Sequence, residues 1–581
     1  MDRSQIFSRR TIEGLIAAGH TILITEGRVL QLDGWLDKHP GGRLAVLHMV
    51  GRDATDEINV YHSAKTLRLM NRYRIGRIAG PWLNLTPPIR GGIYRSAAEE
   101  DSSSSDDDSD SHLTSANSST TSIDVINDVK LDQPHLLDNH LINRWSKVVH
   151  PSPVDGIPQW TATNEVGPIG ASANSSCRRA STRKPEHKSP EEYTSFAVQN
   201  EIDSGLRDYP SLDAETQRGI TEKYQALHQR VKDEGFYDCR YIEYGKELIR
   251  YSALFALFVV CLRAEWYLTS AAFLGLFWHQ IMFTAHDAGH RGITHNFIAD
   301  TLIGMFIADF CCGLSIGWWK SSHNVHHLVT NHPEHDPDIQ NVPLFATSPS
   351  FFKSLHSTYY NFTYIWDSFA NLAVRYQAYT YYPIMAIARF NLYLLSWLHL
   401  LSPRSTNLGS AAWTRPTEIA FMLCYWALFG YCLLWRSLPT WPLRVAFVLV
   451  SHIITMPLHV QITLSHWAMP TADLGDGESF PQRQLRTTMD VECPAWLDFV
   501  HGGLQFQAVH HLFPRVPRHN LRRLQGLVRE FCGETGIEYR CLGFVEGNRQ
   551  VLGRLGEVAG QVELLVRCQR YMAETGESGL H

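Results

Sequence analysis

The chain has 581 residues, a hydrophobic share of 44% and a formal net charge of −6 at pH 7, and this length suggests several domains. Much of the negative charge comes from the run between Glu99 and Asp110, so the charge balance gives no indication of nucleic-acid binding. The eleven cysteines form no CxxC pair, which argues against a zinc ribbon or a disulfide framework and favours reduced, cytosol-facing thiols.

Residues 1–80 predict a small domain built around His39-Pro40-Gly41-Gly42 and a second histidine, His62. Two neutral imidazoles on opposite walls of a crevice can hold a haem iron by both axial positions. Such a site has no open position and favours electron transfer over oxygen chemistry. The alternative is that both are ordinary loop histidines. His20 and His48 match neither ligand position and are interpreted as structural.

Residues 81–195 are dominated by Ser, Asp, Asn, Thr and Pro. A segment of this composition cannot bury enough apolar area to offset the entropy lost on ordering, so we expect a disordered linker that lets the N-terminal domain move. An alternative is a phosphorylated regulatory region, because several serines are flanked by acidic residues. After the linker, residues 213–234 predict an amphipathic helix with no visible catalytic residue.

A series of apolar runs then predicts an integral membrane domain, since about 20 apolar residues cross a bilayer. We expect four crossings, at 248–263, 266–285, 417–435 and 442–464. The run 297–319 is interpreted as a re-entrant or interfacial hairpin, and 383–401 as an interfacial segment that carries Arg389. This arrangement keeps the histidine clusters described next on one side of the membrane, the cytosolic side.

Three clusters carry side chains that can bind metals: His286-Asp-Ala-Gly-His290, His323-Asn-Val-His326-His327 and Gln507-Ala-Val-His510-His511. Their spacings of i, i+3 and i+4 place each set on one face of a helix. With His466 as a plausible further ligand, the clusters supply more ligands than one ion takes, so we expect two ions. Imidazole suits iron, and a pair of irons with open positions can activate dioxygen against an unactivated methylene. The alternative is that these are packed core histidines.

Other polar residues carry weaker predictions. Several histidines match no repeated spacing and are predicted not to bind metal: His279, His295, His332, His335, His452, His459, His501 and His519. A set of acidic residues could orient the imidazoles or simply form turns and caps: Asp287, Asp309, Glu334, Asp336 and Asp338.

The motifs resemble two known families. The first eighty residues, with Asp33 to Gly42, Gly51 to Thr55 and His62, resemble cytochrome b5. The three clusters resemble the boxes of membrane front-end desaturases, and Gln507 in place of histidine is typical of the group fused to cytochrome b5. Longer matches around Trp318-Trp319-Lys320, residues 329–338 and residues 502–515 are similar to fungal sphingolipid Δ8 desaturases.

The resemblance implies a mainly α fold, in which a small α+β haem domain is tethered to a helical membrane desaturase domain at 196–545, followed by a C-terminal helix and tail at 546–581. It implies haem b on His39 and His62. It also implies two irons, with ligation by the following residues: His286, His290, His323, His326, His327, His466, Gln507, His510 and His511. His466 has no named motif. Arg291 departs from the family pattern and is expected to touch a lipid head group or to face water.

The implied reaction inserts a double bond at carbon 8 of the long-chain base of a ceramide, in the pathway to glucosylceramide. It uses O2 and electrons from NADH through cytochrome b5 reductase, at the endoplasmic reticulum membrane with the haem domain and boxes in the cytosol. Three alternatives remain open at this stage: a front-end acyl-lipid or acyl-CoA fatty acid desaturase, a cytochrome b5-fused lipid hydroxylase, and a membrane-anchored electron carrier with an inert enzyme domain.

Overall fold

The structure is a computed structural model that describes residues 3–95, 189–405 and 409–576. The predicted linker, 81–195, lies mostly outside these residues. Its two ends do not: Trp82 Nε1 donates to the Gly51 carbonyl at 2.9 Å, and a helix begins at Pro190. Ser189 caps that helix by accepting from the Glu192 backbone N–H. The predicted linker is therefore too long, because its first and last residues belong to the folded parts on either side.

The N-terminal domain, residues 3–95, contains a four-stranded sheet in the order Ile6–Phe7, Arg74–Ile78, Arg28–Gln31 and Ile22–Thr25. The first pair is parallel and the others are antiparallel. Glu26 and Gly27, both at positive φ, form the two-residue turn of the hairpin, as the right-handed strand twist favours. Four helices complete the domain: Arg9–Ala17, Arg43–Leu47, Thr55–Tyr61 and Ala64–Met70.

The rest of the described chain is helical apart from two short two-stranded sheets, Leu355–Ser357 with Phe362–Tyr364 and Asp490–Glu492 with Cys541–Gly543. The helices before the first apolar run are Pro190–Asp208 and Ala214–Asp233. The later α-helices are Tyr241–Arg263, Tyr267–Gly289, Phe297–Met305, Ile316–Leu328, Ser368–Arg375, Gln377–Leu401, Thr414–Trp426, Trp441–Ile453, Met456–Leu464, Phe480–Thr487, Asp498–His501, Gln507–Leu512, Arg518–Thr535 and Phe544–Thr575.

Within the described residues, three helical stretches are long and apolar enough to cross a membrane: Gln377–Leu401, Gly409–Ser437 and Trp441–Leu464. A fourth candidate is the pair Phe297–Cys311 and Ile316–Leu328, whose halves meet at 116°. This pair is either a broken span or a re-entrant loop. The predicted fold class, mainly α with a small α+β domain and about four membrane helices, is confirmed.

The assignment of individual spans differs from the prediction. Residues 383–401, predicted to be interfacial, belong to a 25-residue helix that meets the requirements for a span. Arg389 does not mark an interface there, because it is buried and its guanidinium donates to the Cys312 carbonyl and the Tyr393 hydroxyl. The predicted crossings 248–263 and 266–285 form two long helices that pack against each other, but neither is among the candidate spans.

The N-terminal domain packs directly against the helical part of the chain. Asp476 receives hydrogen bonds from Arg52, Asn84 and Thr86, and buried Arg52 also forms an ion pair with it. Elsewhere in the interface, Gln225 Nε2 donates to Asp56 at 2.9 Å. These polar contacts fix one orientation of the N-terminal domain, which determines what its cavity faces.

Candidate haem cavity and imidazole cluster

His39 and His62 face each other across a cavity of about 360 Å³ in the N-terminal domain, which we call the N-terminal cavity. Their ring centroids are 6.1 Å apart. A bond of about 2 Å from each ring to a shared ion would separate the centroids by about 6 Å, so the spacing fits one metal ion between the rings. The rings are held in the geometry that two axial ligands need.

Backbone carbonyls orient both rings. Nδ1 of His39 lies 2.9 Å from the Gly42 oxygen, and Nδ1 of His62 lies 3.0 Å from the Ile58 oxygen. A carbonyl can only accept, so each Nδ1 carries the proton and each Nε2 keeps its lone pair for a metal. Burial lowers the pKa of His62 to about 3 and also lowers that of His39, so both rings are neutral. The residues present therefore fit a bis-imidazole haem.

The Pro-Gly-Gly turn is required by close packing. A Cβ on Gly41 would lie 2.8 Å from Cε1 of His39, and Gly42 has φ +89°, which favours glycine. The cavity wall is apolar, with Leu23, Leu30, Val46 and Ile58 among its residues. The space beside His39 is thus kept free for a flat, mostly apolar ligand.

The histidines of the three boxes converge on one region although they come from distant parts of the chain. The first imidazole group consists of His286, His290, His323 and His510, whose nearest ring nitrogens all lie within 4.8 Å of one another. The second imidazole group, His326, His466 and His511, meets the same distance. His466, which belongs to no box, therefore lies with box histidines, as the sequence predicts.

His327 lies between the two groups. Its ring centroid is 4.0 Å from that of His511 in the second group and 4.4 Å from that of His323 in the first. Asp338 also approaches, with a carboxylate oxygen within 4.8 Å of the ring nitrogens of His323 and His326. The donor set is thus large enough for two ions, and a single tetrahedral ion would use only part of it.

Several ring nitrogens in this cluster are buried and have no hydrogen-bond partner. Among the described residues these are Nε2 of His286, His290, His510 and His511, and Nδ1 of His327. Leaving so many buried acceptors unsatisfied is costly, and a shared cation would satisfy them together. Burial keeps the pKa of His510 and His511 well below the usual value, so their rings are neutral and able to bind metal. The donor set fits iron.

Side chains and one carbonyl orient the second imidazole group. Asp336 accepts from Nδ1 of His326 at 2.8 Å, and Gln484 Oε1 accepts from Nδ1 of His511 at 2.9 Å. Nδ1 of His466 lies 3.3 Å from the Thr487 oxygen. Each contact leaves Nε2 free to bind a metal. Asp336 was predicted in this role. Gln484 and Thr487 were not, because the helix Phe480–Thr487 is polar in sequence yet fully buried.

Trp319 closes one side of the first imidazole group. Its ring stacks on His323 at 4.4 Å and lies 5.3 Å from His286 and from His290. A Cβ on Gly289 would lie 2.1 Å from this ring, so glycine is needed for the approach. In the sequence, Trp319 stands out only as part of the Trp318-Trp319-Lys320 stretch that resembles the sphingolipid desaturases, and its place in the cluster was not predicted.

Other predicted site residues have different surroundings. Asp287 accepts hydrogen bonds from the Arg518 guanidinium and the Tyr244 hydroxyl. Its carboxylate lies 3.8 Å from Nδ1 of His286, which is too far for a hydrogen bond that would orient that ring. Asp309 is buried near the Ile316 backbone N–H rather than beside a box histidine, and the Glu334 backbone N–H lies beside His332. Gln507 is buried at the start of the third-box helix. Its role as a ligand stays a prediction.

The histidines predicted not to bind metal lie in neither imidazole group. His332 and His335 stack on each other at 4.0 Å, while His295 is held by the Arg291 and Tyr237 carbonyls. His452 is stacked on Phe390 among the candidate membrane helices.

The N-terminal cavity and the imidazole cluster share a wall. Residues from the first and second boxes line the cavity together with His39 and His62; they are Gly289, His290, Arg291, Lys320, Asn324 and Leu328. Asn324 also donates to the Gly41 carbonyl at 3.2 Å. Arg291 is half-buried and lines this cavity, and its predicted contact with a lipid head group or with water stays a prediction. The backbone turns after His290, with Arg291 at φ +60°, and directs the chain past the cavity.

Comparison with known proteins agrees with both halves of the molecule. A family model described as fatty acid desaturase matches residues 264–543, and one described as cytochrome b5-like heme/steroid binding domain matches residues 16–79. The chain is 48% identical over 580 residues to a protein of Emericella nidulans named Delta 8-(E)-sphingolipid desaturase, covering 100% of this chain and 99% of that one. Proteins with the same name from Komagataella phaffii and Candida albicans are 44% and 42% identical, over 97% and 98% of this chain and 95% and 98% of their own lengths.

Proposed function

The chain belongs to the family of fungal Delta 8-(E)-sphingolipid desaturases, and on this premise we propose that it introduces a trans double bond at carbon 8 of the long-chain base of ceramide. It is an integral membrane oxidoreductase that acts on a lipid with O2. The observation that carries the proposal is the convergence of the box histidines beside the N-terminal cavity, whose wall is formed by both the N-terminal domain and the helical part of the chain.

The reaction balances with two electrons from outside the substrate. The unit –CH2–CH2– reacts with O2, two electrons and two protons to give –CH=CH– and two molecules of water. Two iron ions held by the imidazole cluster would supply the activation of O2 and the abstraction of hydrogen. Burial keeps the rings of His510 and His511 neutral, and the acceptors at Nδ1 of His326, His466 and His511 leave Nε2 of each ring for the metal.

Each residue predicted to bind a cofactor has a proposed role. We assign one iron to the first imidazole group and the other to the second, with His327 and Gln507 completing the set. Nε2 of His39 and of His62 would hold haem b, and the chemistry it would supply there is one-electron transfer towards the cluster. NADH–cytochrome b5 reductase is the proposed donor, at the cytosolic face of the endoplasmic reticulum.

The test is the lipid profile of a yeast that lacks Δ8 unsaturation. Cells expressing the full chain are expected to gain trans-Δ8 long-chain bases, with unaltered fatty acids. His326→Ala and His511→Ala should abolish the product, because each removes a donor from the second imidazole group. His356→Ala is the matched control, since His356 is exposed and lies outside both groups. New fatty-acid double bonds with unaltered long-chain bases would refute the proposed substrate, and a hydroxylated base without an alkene would refute the proposed reaction.

A further inference from the structure

The wall of the N-terminal cavity includes three cations that the helical part of the chain contributes. Arg291 follows the first box, Lys320 precedes the second, and Arg515 follows the third, and all three line the cavity that holds His39 and His62. We call them the cation triad. Arg291 and Lys320 flank one ring: the guanidinium carbon of Arg291 lies 4.8 Å and Nζ of Lys320 5.8 Å from the centroid of Phe297.

Within the described residues, no member of the triad forms a direct ion pair, because none of the three side chains has a carboxylate within 4.0 Å. The carboxylate of Asp300 acts on all three cations only from beyond that distance. Its Oδ1 accepts from the Thr294 backbone at 2.9 Å and from the Thr294 hydroxyl at 2.7 Å. Glu57 is the acid in the cavity lining, and Arg72 adds a fourth cation from the N-terminal domain. Half-buried cations without anions are costly unless a ligand supplies the negative charge.

The conformation of Arg291 supports a role for its side chain. Its φ of +60° lies in the left-handed region, which is strained for a long side chain and is usually occupied by glycine or asparagine. The turn is held by His295, whose Nδ1 lies 2.7 Å from the Arg291 carbonyl. An arginine in this turn costs conformational energy, and its charge is the property that glycine or asparagine would lack.

We propose that the cation triad binds the two propionate carboxylates of the haem, so that residues of the desaturase part complete the haem site of the N-terminal domain. Haem b carries two carboxylates on one edge, and guanidinium groups pair with carboxylates in a bidentate manner. His39 and His62 would bind the iron, and the triad would bind the carboxylates of this edge. Haem binding then also locks the N-terminal domain onto the desaturase part. His290 is both a member of the first imidazole group and a residue of the same wall, which brings the cofactors close.

This inference rests on the proposed ligation of haem by His39 and His62, so its test must separate the two. The full-length protein is loaded either with haem b or with haem dimethyl ester, whose two propionates are neutral. The absorbance of a bis-imidazole haem in both samples confirms that His39 and His62 bind iron. Its absence from the wild-type protein loaded with haem b would refute the ligation itself.

The measurement is the midpoint potential of the haem in the wild type and in the triple variant Arg291→Gln, Lys320→Gln, Arg515→Gln. With haem dimethyl ester, loss of the cations should lower the equilibrium constant for reduction about tenfold for charges about 10 Å away, which is about 59 mV. With haem b the change should differ, because the variant also leaves the propionates unpaired. The two proteins and the two haems form a double-mutant cycle, and its non-additivity measures the interaction between the triad and the propionates. Hydrogen exchange at the interface between the two domains should be faster in the triple variant than in the wild type only when haem b is bound.

Single variants Lys320→Gln and Arg515→Gln serve if the triple variant fails to fold, and Arg218→Gln, an exposed arginine on the helix Ala214–Asp233, is the matched control. Identical changes with both haems would overturn the proposal. So would an unchanged potential combined with weaker binding to vesicles containing phosphatidylserine, because the triad would then serve an anionic lipid head group.

Discussion

The two histidine sites of this molecule are oriented by different means. In the N-terminal cavity, two imidazoles 23 positions apart in sequence are each held by a backbone carbonyl. In the second imidazole group, residues from three distant segments are held partly by the side chains of Asp336 and Gln484. A backbone carbonyl remains when the side chain of its residue is substituted, whereas a side-chain carboxylate or amide is removed by the substitution. The haem site should therefore fail only when a ligand is lost, and the cluster should also fail when a neighbour is lost.

The largest expected effect comes from removing one haem ligand. His39→Ala should abolish both haem absorbance and the Δ8 product, while non-haem iron content and membrane insertion stay at wild-type levels, because the imidazole cluster is built without residues of the N-terminal domain. Absorbance spectroscopy, metal analysis and lipid profiling of the purified protein give these quantities. His20→Ala is the control in the same domain. Product formed by His39→Ala would mean that a separate cytochrome supplies the electrons.

Gln484→Leu tests the cluster's dependence on its neighbours. The amide accepts from His511 and donates to the His327 carbonyl at 2.8 Å, so leucine leaves both groups unpaired while conserving volume. We expect a loss of about 10–100-fold in iron affinity or turnover, with haem content unchanged. Titration with iron at fixed protein concentration measures the first quantity. Exposed Gln229→Leu should have no effect, and equal iron affinity in both variants would remove the contrast between the two sites.

Asp476→Asn tests the contact that positions one site against the other. It leaves buried Arg52 without its anion, and such a loss costs about 1–3 kcal/mol. Haem and iron contents should stay normal, while reoxidation of pre-reduced haem in the presence of substrate slows in stopped-flow absorbance. Asp37→Asn, which breaks an exposed ion pair with Arg43, is the control. A normal reoxidation rate would mean that this contact does not govern electron transfer.

The smallest expected effect is a pH dependence at the same interface. Burial raises the pKa of Asp56 to about 7, against the amide of Gln225, which lowers it. An unfolded Asp titrates near 3.9, so the folded state holds the proton more tightly. This contribution to stability is fully present below about pH 4 and is lost as pH rises through about 7. The melting temperature of the N-terminal domain should fall from pH 6 to pH 8, and Asp56→Asn should reduce that fall. An equal fall in both proteins would contradict the assignment.

Residues with strong local spacing were predictable from sequence. The i, i+3 and i+4 patterns identified the histidines that converge in the cluster, and the Pro-Gly-Gly sequence that follows it identified His39. Gln484 was missed because its contacts join segments far apart in the chain. Trp319 was missed although it lies four residues before His323 on the same helix, at the spacing that places the two rings on one face. The interfacial assignment of 383–401 took Arg389 as a sign of the membrane surface. Inside the domain, however, this side chain donates to the Cys312 carbonyl and to the hydroxyl of Tyr393, one turn away on the same helix.

The boundaries of the N-terminal domain could not be predicted from its composition either. Asn84 and Thr86 lie in a stretch that looks like the start of a linker, yet both contact Asp476. Only the position of the partner loop gives these polar residues a structural role.

Those contacts bear on attempts to build chimeras. A foreign cytochrome domain spliced in at residue 80 would still be followed by the native Asn84 and Thr86, but it would lack an arginine placed as Arg52 is. The haem of such a chimera could still transfer electrons, but the foreign domain would lack the contact with Asp476 that orients the native domain. A productive exchange of modules should keep the native chain through at least residue 95 and transplant only the walls of the crevice.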